Sequence, residues 1–254
     1  VRLRPFAFDG PQARAVVTTR HGGTSTGVYD SLNLGDHVGD DPAAVRRNRD
    51  LLAAALGVGA ITVADQQHGS ACAVVTPELV GRGHAGVADS VAAFPATDAL
   101  VTDVPGAALG VLVADCAPVV LWDPVRRAAG VAHAGRPGVV RGVVASAVAT
   151  MTEAFGTDPG DLMAGVGPCV GVESYEVRDV DAEQLEAVLP GFTRPTRPGH
   201  RLLDVGGAVE RQLADLGVGA VHRIRVDTRT STDDFFSDRA HRPCGRFMAV
   251  VALP

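Results

Sequence analysis

Three short stretches of the chain each place one soft or borderline metal ligand among small neighbours: Gln66-Gln67-His68-Gly69, Ala114-Asp115-Cys116-Ala117-Pro118 and Ala132-His133-Ala134-Gly135. Each ligand falls at the end of a strand-like run, where a side chain can project into a cleft without crowding. A set of two histidines and one cysteine suits zinc, and three protein ligands leave the fourth tetrahedral position for water or substrate, as in catalytic rather than structural sites. Spacings of 48 and 17 residues mean that any such site is assembled by the tertiary fold. Spacing alone leaves the plainer reading open, in which Cys116 is a small core residue and the two histidines are unrelated loop residues.

The elements that must position these residues are strand-rich. Ala13 to Thr19 is a β-branched run, and Ile61 to His133 contains ITVAD, ACAVVT, DALVTD, ALGVLVAD, PVVLWD and AAGVAH, separated by Gly, Pro and Asp turns. Between the first strand and the next element, Arg20 to Asp36 holds too many turn formers for regular structure, and a polar loop of that length is a candidate functional segment. Asp41-Pro42 opens a helix that ends at Gly57, with Val45, Leu51, Leu52, Ala55 and Leu56 expected on its apolar side and Arg46, Arg47 and Arg49 on a solvated face. Gly81 to Ala88 reads as a surface loop with His84 exposed, and Val139 to Phe155 as a helix on the sheet. A strand is expected at Leu162 to Val166, helices at Asp181 to Leu189 and Asp204 to Leu216, a loop at Pro190 to His200, and closing strands at Val221 to Asp227 and Arg246 to Leu253. No internal repeat or linker interrupts this order. The expectation is one α+β (mixed α/β) domain over residues 1–254, with a β-rich core flanked by helices.

Composition narrows the partners. Hydrophobic residues at 46% and charged residues at 20% describe a folded chain. The net charge of -6, with no basic run, gives no footprint for nucleic acid or an anionic membrane. No stretch approaches the roughly 18 apolar residues that span a bilayer, and Val1 to Gly10 lacks a signal-peptide core, so a cytoplasmic location is expected. Cys72, Cys116, Cys169 and Cys244 include no CxxC pair, which fits neither a disulfide scaffold nor a zinc ribbon; Cys72, Cys169 and Cys244 read as buried structural residues.

Taken together, the texts TTRHGGTS (18–25), YDSLNLG (29–35), QQHG (66–69), TDALVTD (97–103), ADCAPVVL (114–121), VAHAG (131–135), GPCVG (167–171), SYEV (174–177) and FFSDR (235–239) resemble the YfiH-like laccase-domain family. This family is also called multicopper polyphenol oxidase-like and is described as purine nucleoside phosphorylases. The resemblance covers nearly the whole chain. It implies that His68, Cys116 and His133 bind zinc, with copper as an adventitious occupant. It also implies phosphorolysis of adenosine, inosine, guanosine and methylthioadenosine, together with adenosine deamination. Small-molecule purine nucleosides and phosphate are then the partners, and the chain is compatible with a monomer.

Phosphorolysis needs an anion site, a ribose pocket and a donor for the departing purine. Arg20, with the amides of Gly22 and Gly23, and Arg239 are candidates for phosphate, with surface ion pairing as the alternative for both. Ser25 and Asn33 are candidates for sugar hydroxyls or phosphate, and Asn33 equally for holding the loop backbone. Asp115 is the carboxylate nearest the cysteine in sequence, but neighbours on an extended strand point oppositely. The family's usual AHAGWRG reads here His133-Ala134-Gly135-Arg136-Pro137-Gly138, which keeps the ligand and leaves the role of the tryptophan and arginine open.

Other functions are weighed beside this one. The family's fold is similar to that of cytotoxic-necrotizing-factor-like toxin deamidases, which makes Cys116 and His133 a candidate nucleophile and base of a Cys/His hydrolase. Relatives linked to peptidoglycan-precursor editing supply another hydrolytic alternative. A copper-dependent polyphenol oxidase of the laccase type needs a full set of histidines, mostly in HxH pairs. This chain has eight histidines and no HxH.

Overall fold

The computed structural model describes residues Val1 to Pro254. In chain order, β1 (Leu3–Pro5) and β2 (Arg14–Thr18) precede helix α1 (Pro42–Leu56), then come β3 (Thr62–Val63), β4 (Cys72–Val74) and α2 (Val87–Ala93). Four strands follow, β5 (Ala99–Thr102), β6 (Ala108–Val113), β7 (Ala117–Asp123) and β8 (Ala128–Ala134), and then helices α3 (Arg136–Arg141) and α4 (Val143–Phe155). The last third contains β9 (Met163–Val166), β10 (Glu176–Arg178), α5 (Asp179–Val188), β11 (Thr193–Pro195), β12 (His200–Leu203), α6 (Val205–Asp215), β13 (Ala220–Arg223) and β14 (Phe247–Ala252).

Two mixed sheets carry the fold, one in the order β1-β2-β14-β6-β3 and the other β13-β9-β7-β8-β5-β4. Strand alternation shows how they stack. On β14, Met248, Val250 and Ala252 join Leu52 and Leu56 of α1, whereas Phe247, Ala249 and Val251 meet Val120, Trp122 and Val131 of the second sheet. On the far side of that sheet, Val119 and Leu121 meet Val144, Ala147 and Met151 of α4 and Val209 of α6. The layers therefore run helix, sheet, sheet, helices. Both central sheets are covered on both faces, which is why β6, β7 and β8 read as continuous apolar runs rather than alternating ones. Each fully buried Val or Leu in these strands contributes roughly 1.5–3 kcal/mol of transfer free energy. No helix is long and apolar enough to cross a membrane.

Helix α1 starts and stops where its sequence directs. The Asp41 carboxylate accepts the Ala43 N–H, Pro42 occupies the first turn, and Gly57 closes the helix in the left-handed region at φ 74°. Its buried face differs from the expected one: Leu51 and Ala55 are exposed, and Arg49 is buried. The Arg49 guanidinium donates to the carbonyls of Leu34, Gly83 and His84 and pairs with Asp36 at 3.1 Å, so a buried charge is matched by a carboxylate and three carbonyls. His84 is likewise buried rather than exposed, its Nδ1 accepting from the Ile61 amide and its Nε2 facing Asp50 at 3.0 Å.

Other boundaries move for local reasons. The expected Gly81 to Ala88 loop runs into α2, and the expected helix from Val139 begins at Arg136 and is interrupted at Gly142, φ 79°, into α3 and α4. Pro190 to His200 is not all loop: β11 lies within it, and β12 begins at its last residue. These two strands form a small antiparallel sheet with β10, in which Pro195 ends the edge strand, where a missing N–H is tolerated.

Candidate metal centre and active-site cavity

His133 lies near the end of β8, opposite Pro118 of β7, and Cys116 immediately precedes β7. His68 sits on the loop after β3 with its backbone in the left-handed region, φ 58°, an unusual position for a residue with a Cβ. Asp98, just before β5 and buried, holds that turn in place. Its carboxylate accepts the N–H groups of Gln67, His68 and Gly69 at 3.1, 2.9 and 2.6 Å and faces His133 Nδ1 at 2.8 Å. Its carbonyl accepts the His133 amide. Arg141 completes the brace by donating to the His68 carbonyl at 2.5 Å. Burial acts to raise the Asp98 carboxyl, but the His133 ring and the Gly69 and Gln67 amides outweigh it and hold it below the usual range.

The three candidate ligands converge. One ligand atom from each of His68, Cys116 and His133 lies within 4.8 Å of the others, and Cys116 Sγ is 3.6 Å from His68 Nε2. The two imidazoles meet edge-on, with centroids 4.6 Å apart. Tetrahedral zinc with these donors sets ligand atoms roughly 3.3–3.6 Å apart, so the cluster needs only a small contraction to hold it. Because Asp98 occupies Nδ1 of His133, Nε2 is left as the ligand atom, the usual carboxylate–histidine support of a metal site. Gly135 explains the small-residue context: a Cβ there would lie 2.7 Å from Cys116 Sγ and 2.8 Å from His68 Cδ2.

The electrostatics agree with ligation. Burial would push the Cys116 thiol up, but His133 and His68 beside it bring it down to about 6. Burial would lower His133, yet the Cys116 sulfur and Asp98 raise it to about 9. The other cysteines differ: burial raises Cys72 to about 11 and Cys169 to about 12, and Cys244 is also raised by burial. Cys72 is half-buried; Cys169 and Cys244 are buried.

The cluster opens onto a cavity of about 650 Å³ that also contains His37, Arg136, Tyr175, Arg239 and Arg246. Arg239 lies over the Tyr175 ring at 4.8 Å and donates to the Glu176 carbonyl. Burial, then the charges of Arg246 and Arg49, lower His37 below its ordinary value. Asp115 also reaches the cavity wall, its backbone at φ 85°, but both its oxygens are engaged, by Thr228 Oγ1 at 2.6 Å and the Arg239 amide at 2.7 Å. It anchors two loops.

The remaining sequence candidates lie elsewhere. Arg20 donates to the carbonyls of Asp30 and Thr232 and stacks over Phe236 at 4.5 Å, outside this cavity. Ser25 is buried between Asp40 and Asn48. Asn33 is buried as well, bonded to Gly35, Asp40 and the Arg246 amide, which is the loop-holding alternative for that residue. Of the four substrate candidates, Arg239 alone reaches the cavity. Sequence reasoning passed over Asp98, although TDALVTD was among the distinctive texts; an acidic residue at the entry to an otherwise apolar strand was the available signal. Tyr175, in SYEV, was passed over in the same way.

Comparison with known proteins places this geometry in context. The profile described as Multi-copper polyphenol oxidoreductase laccase matches residues 14–254. A purine nucleoside phosphorylase of Streptomyces coelicolor is 44% identical over 238 residues, 93% of each chain, and one of Mycobacterium tuberculosis is 41% identical over 242 residues, 94% of this chain and 91% of that one. The crystal structure of YlmD from Geobacillus stearothermophilus superposes with a TM-score of 0.92 at 32% identity, covering 100% of this chain and 97% of that one. That of the Bacillus licheniformis hypothetical protein YfiH gives 0.91 at 31% identity, covering 99% and 100%. Sequence and fold together show that the chain belongs to the Multi-copper polyphenol oxidoreductase laccase family, the family of YfiH.

Proposed function

We propose that the chain is a zinc-dependent purine nucleoside phosphorylase that also deaminates adenosine. One observation carries the reading: His68, Cys116 and His133 converge in a cavity that is also lined by Arg239, a cation with no carboxylate partner. The names of the similar Streptomyces and Mycobacterium proteins support the same activity. A bound zinc ion would supply Lewis-acid polarisation at the coordination position that the three side chains leave open.

The chain's own residues supply positioning. Asp98 fixes the His133 tautomer and the His68 turn, and Gly135 keeps the space between the ligands clear. Arg239 neutralises phosphate, and Tyr175 offers a flat wall to the nucleoside. A phosphate oxygen forms a bond to C1′ of the sugar as the bond from C1′ to the purine breaks. The electron pair leaves with the base, which takes up a proton, giving free purine and ribose 1-phosphate.

The test pairs metal analysis of protein purified without affinity metals with purine release from adenosine and inosine. About one zinc per chain and strictly phosphate-dependent release are expected. Release that ignores phosphate defeats the phosphorylase reading.

One observation favours a second reading. Cys116, His133 and Asp98 form a nucleophile, base and orienting carboxylate, with the thiol already lowered to about 6. A Cys/His hydrolase keeps its activity after chelation and loses it to thiol alkylation, whereas the zinc enzyme loses activity to the chelator and regains it on zinc addition. A laccase is disfavoured by ligand supply, since the structure contains a single cluster of candidate metal ligands.

A further inference from the structure

Beside the cavity that holds the candidate ligand cluster lies a more open basin of about 570 Å³, and Arg136, Tyr175 and Arg239 line both. Five arginines face the basin, and three already pair with carboxylates, two of them sharing Asp181. Arg136 and Arg178 bond Asp181 at 2.9 and 3.0 Å, and Arg197 bonds Glu176 at 2.7 Å. The remaining carboxylate of the basin, Glu173, is taken by Arg194 at 2.7 Å. Two guanidinium groups are left over. Arg239 gives one N–H to the Glu176 carbonyl and otherwise rests on Tyr175, while the Arg229 side chain bonds nothing in the protein.

Their backbones, by contrast, are pinned. Asp115, the residue before Cys116, accepts from Thr228 Oγ1 and from the Arg239 amide, so one buried carboxylate ties both arginine-bearing loops to the metal cluster. Asp227 fixes the same loop again by accepting the amides of Arg229 at 3.0 Å and Gly171 at 2.9 Å. Two guanidinium groups without a carboxylate are therefore carried on anchored loops into one basin, in a chain whose net charge is -6.

We propose that this basin is the holding site for a phosphate dianion, gripped by Arg229 and by Arg239, the cation that the basin shares with the neighbouring cavity. Its source is either free phosphate as co-substrate or the phosphate of a nucleotide. Its part in turnover rests on the phosphorylase reading above; its binding does not. Guanidinium groups take phosphate oxygens in paired, charge-assisted hydrogen bonds, and two cations in one concave site focus the field on a small anion. Because Arg239 belongs to both cavities, an anion in the basin adjoins a nucleoside in the metal cavity without sharing its space.

The test measures binding of inorganic phosphate, and separately of adenosine 5′-monophosphate against adenosine, to the zinc-loaded protein by calorimetry. The variants are Arg229→Ala and Arg229→Lys. Arg225→Ala is the control, an exposed arginine paired with Glu210 outside the basin. Arg229→Ala is expected to weaken phosphate binding about tenfold, with partial recovery in Arg229→Lys and no change in Arg225→Ala. In turnover it raises the KM for phosphate and leaves kcat within about twofold. Arg229-dependent binding of free phosphate identifies a co-substrate; an Arg229-dependent advantage of the monophosphate over adenosine identifies a nucleotide. Both outcomes keep the basin. Equal affinity in wild type and Arg229→Ala for both probes overturns it, as does an equal loss in Arg225→Ala. Phosphate-dependent purine release that ignores Arg229 overturns the co-substrate source and keeps the phosphorylase. Arg229-dependent phosphate binding without such release retires the phosphorylase and keeps the basin.

Discussion

Two loop-borne polar clusters in this protein look alike as sequence and differ in what they leave unbonded. The segment from Arg20 to Asp36 is dense in Gly, Ser, Thr and Asn, yet its polar groups bond one another. Asn48, buried on α1, donates to Ser25 Oγ and to the carbonyls of Ser31 and Asn33, and accepts from Thr24. In the second cluster Asp98 consumes three amides and one ring nitrogen, and Cys116 Sγ faces the two imidazoles on a cavity wall with no partner outside the cluster. A polar loop closed on itself is scaffold; a polar cluster with surplus bonding capacity is a site.

The strongest way to break this distinction is to remove a ligand atom. Cys116→Ala is expected to abolish stoichiometric zinc and reduce purine release by at least about a hundredfold, while circular dichroism stays native. Zinc retained at one per chain in this variant removes Cys116 from the ligand set. A gentler variant tests the support. Asp98→Asn keeps the shape but weakens the grip on the His68 turn and the His133 tautomer, so metal affinity is expected to fall roughly 10–100-fold by competition with a chromogenic chelator. Unchanged affinity means that the turn is held without that charge.

The other cluster answers to a different measurement. Asn48→Ala strands the Thr24 amide and the Asn33 carbonyl in a buried setting, while the Ser31 carbonyl keeps the Ser25 amide, at a cost of about 2–3 kcal/mol and a fall in Tm on the order of 8 °C. Zinc per folded chain and kcat/KM measured below the transition are expected to remain within about twofold. A specific loss of turnover in folded Asn48→Ala would place the loop in the active site after all.

The same distinction sets the limit of what the sequence discloses. Strands β6 to β8 are legible because burial on both faces writes long apolar runs, and α1 is legible because Asp41, Pro42 and Gly57 act through bonds to residues a few positions away. The three candidate ligands are legible as rare texts between small residues. Asp98 is not, because its role depends on amides about thirty residues upstream that the sheet brings to it. Arg49 and His84 fail for a related reason: a polar side chain in a periodic pattern is assigned to water unless its distant partners are known, and theirs lie 13 to 35 residues away. Ser25 and Asn33 carry the chemistry of a binding loop, and only the partners supplied by Asn48, Asp40 and Arg246 show where their capacity goes.

The smallest effect expected is also the most selective. In metal-free protein, His133 and His68 hold the Cys116 thiol at about 6, whereas burial raises Cys72 to about 11, Cys169 to about 12 and Cys244 in the same direction. At pH 7 one thiol of four is therefore a thiolate, and lowering the pH through about 6 protonates it. Ultraviolet thiolate absorbance is expected to show this single step well below the range of an ordinary cysteine, and Cys116→Ala removes it. Asp98→Asn takes away a charge that helps raise His133 to about 9; with less imidazolium beside it, the thiol titrates at higher pH. A step that stays in place in Asp98→Asn assigns the thiolate to His68 alone. A step that moves upward shows that Asp98 controls the charge of the ligand cluster as well as its geometry, which is the coupling that the self-contained loop around Asn48 lacks.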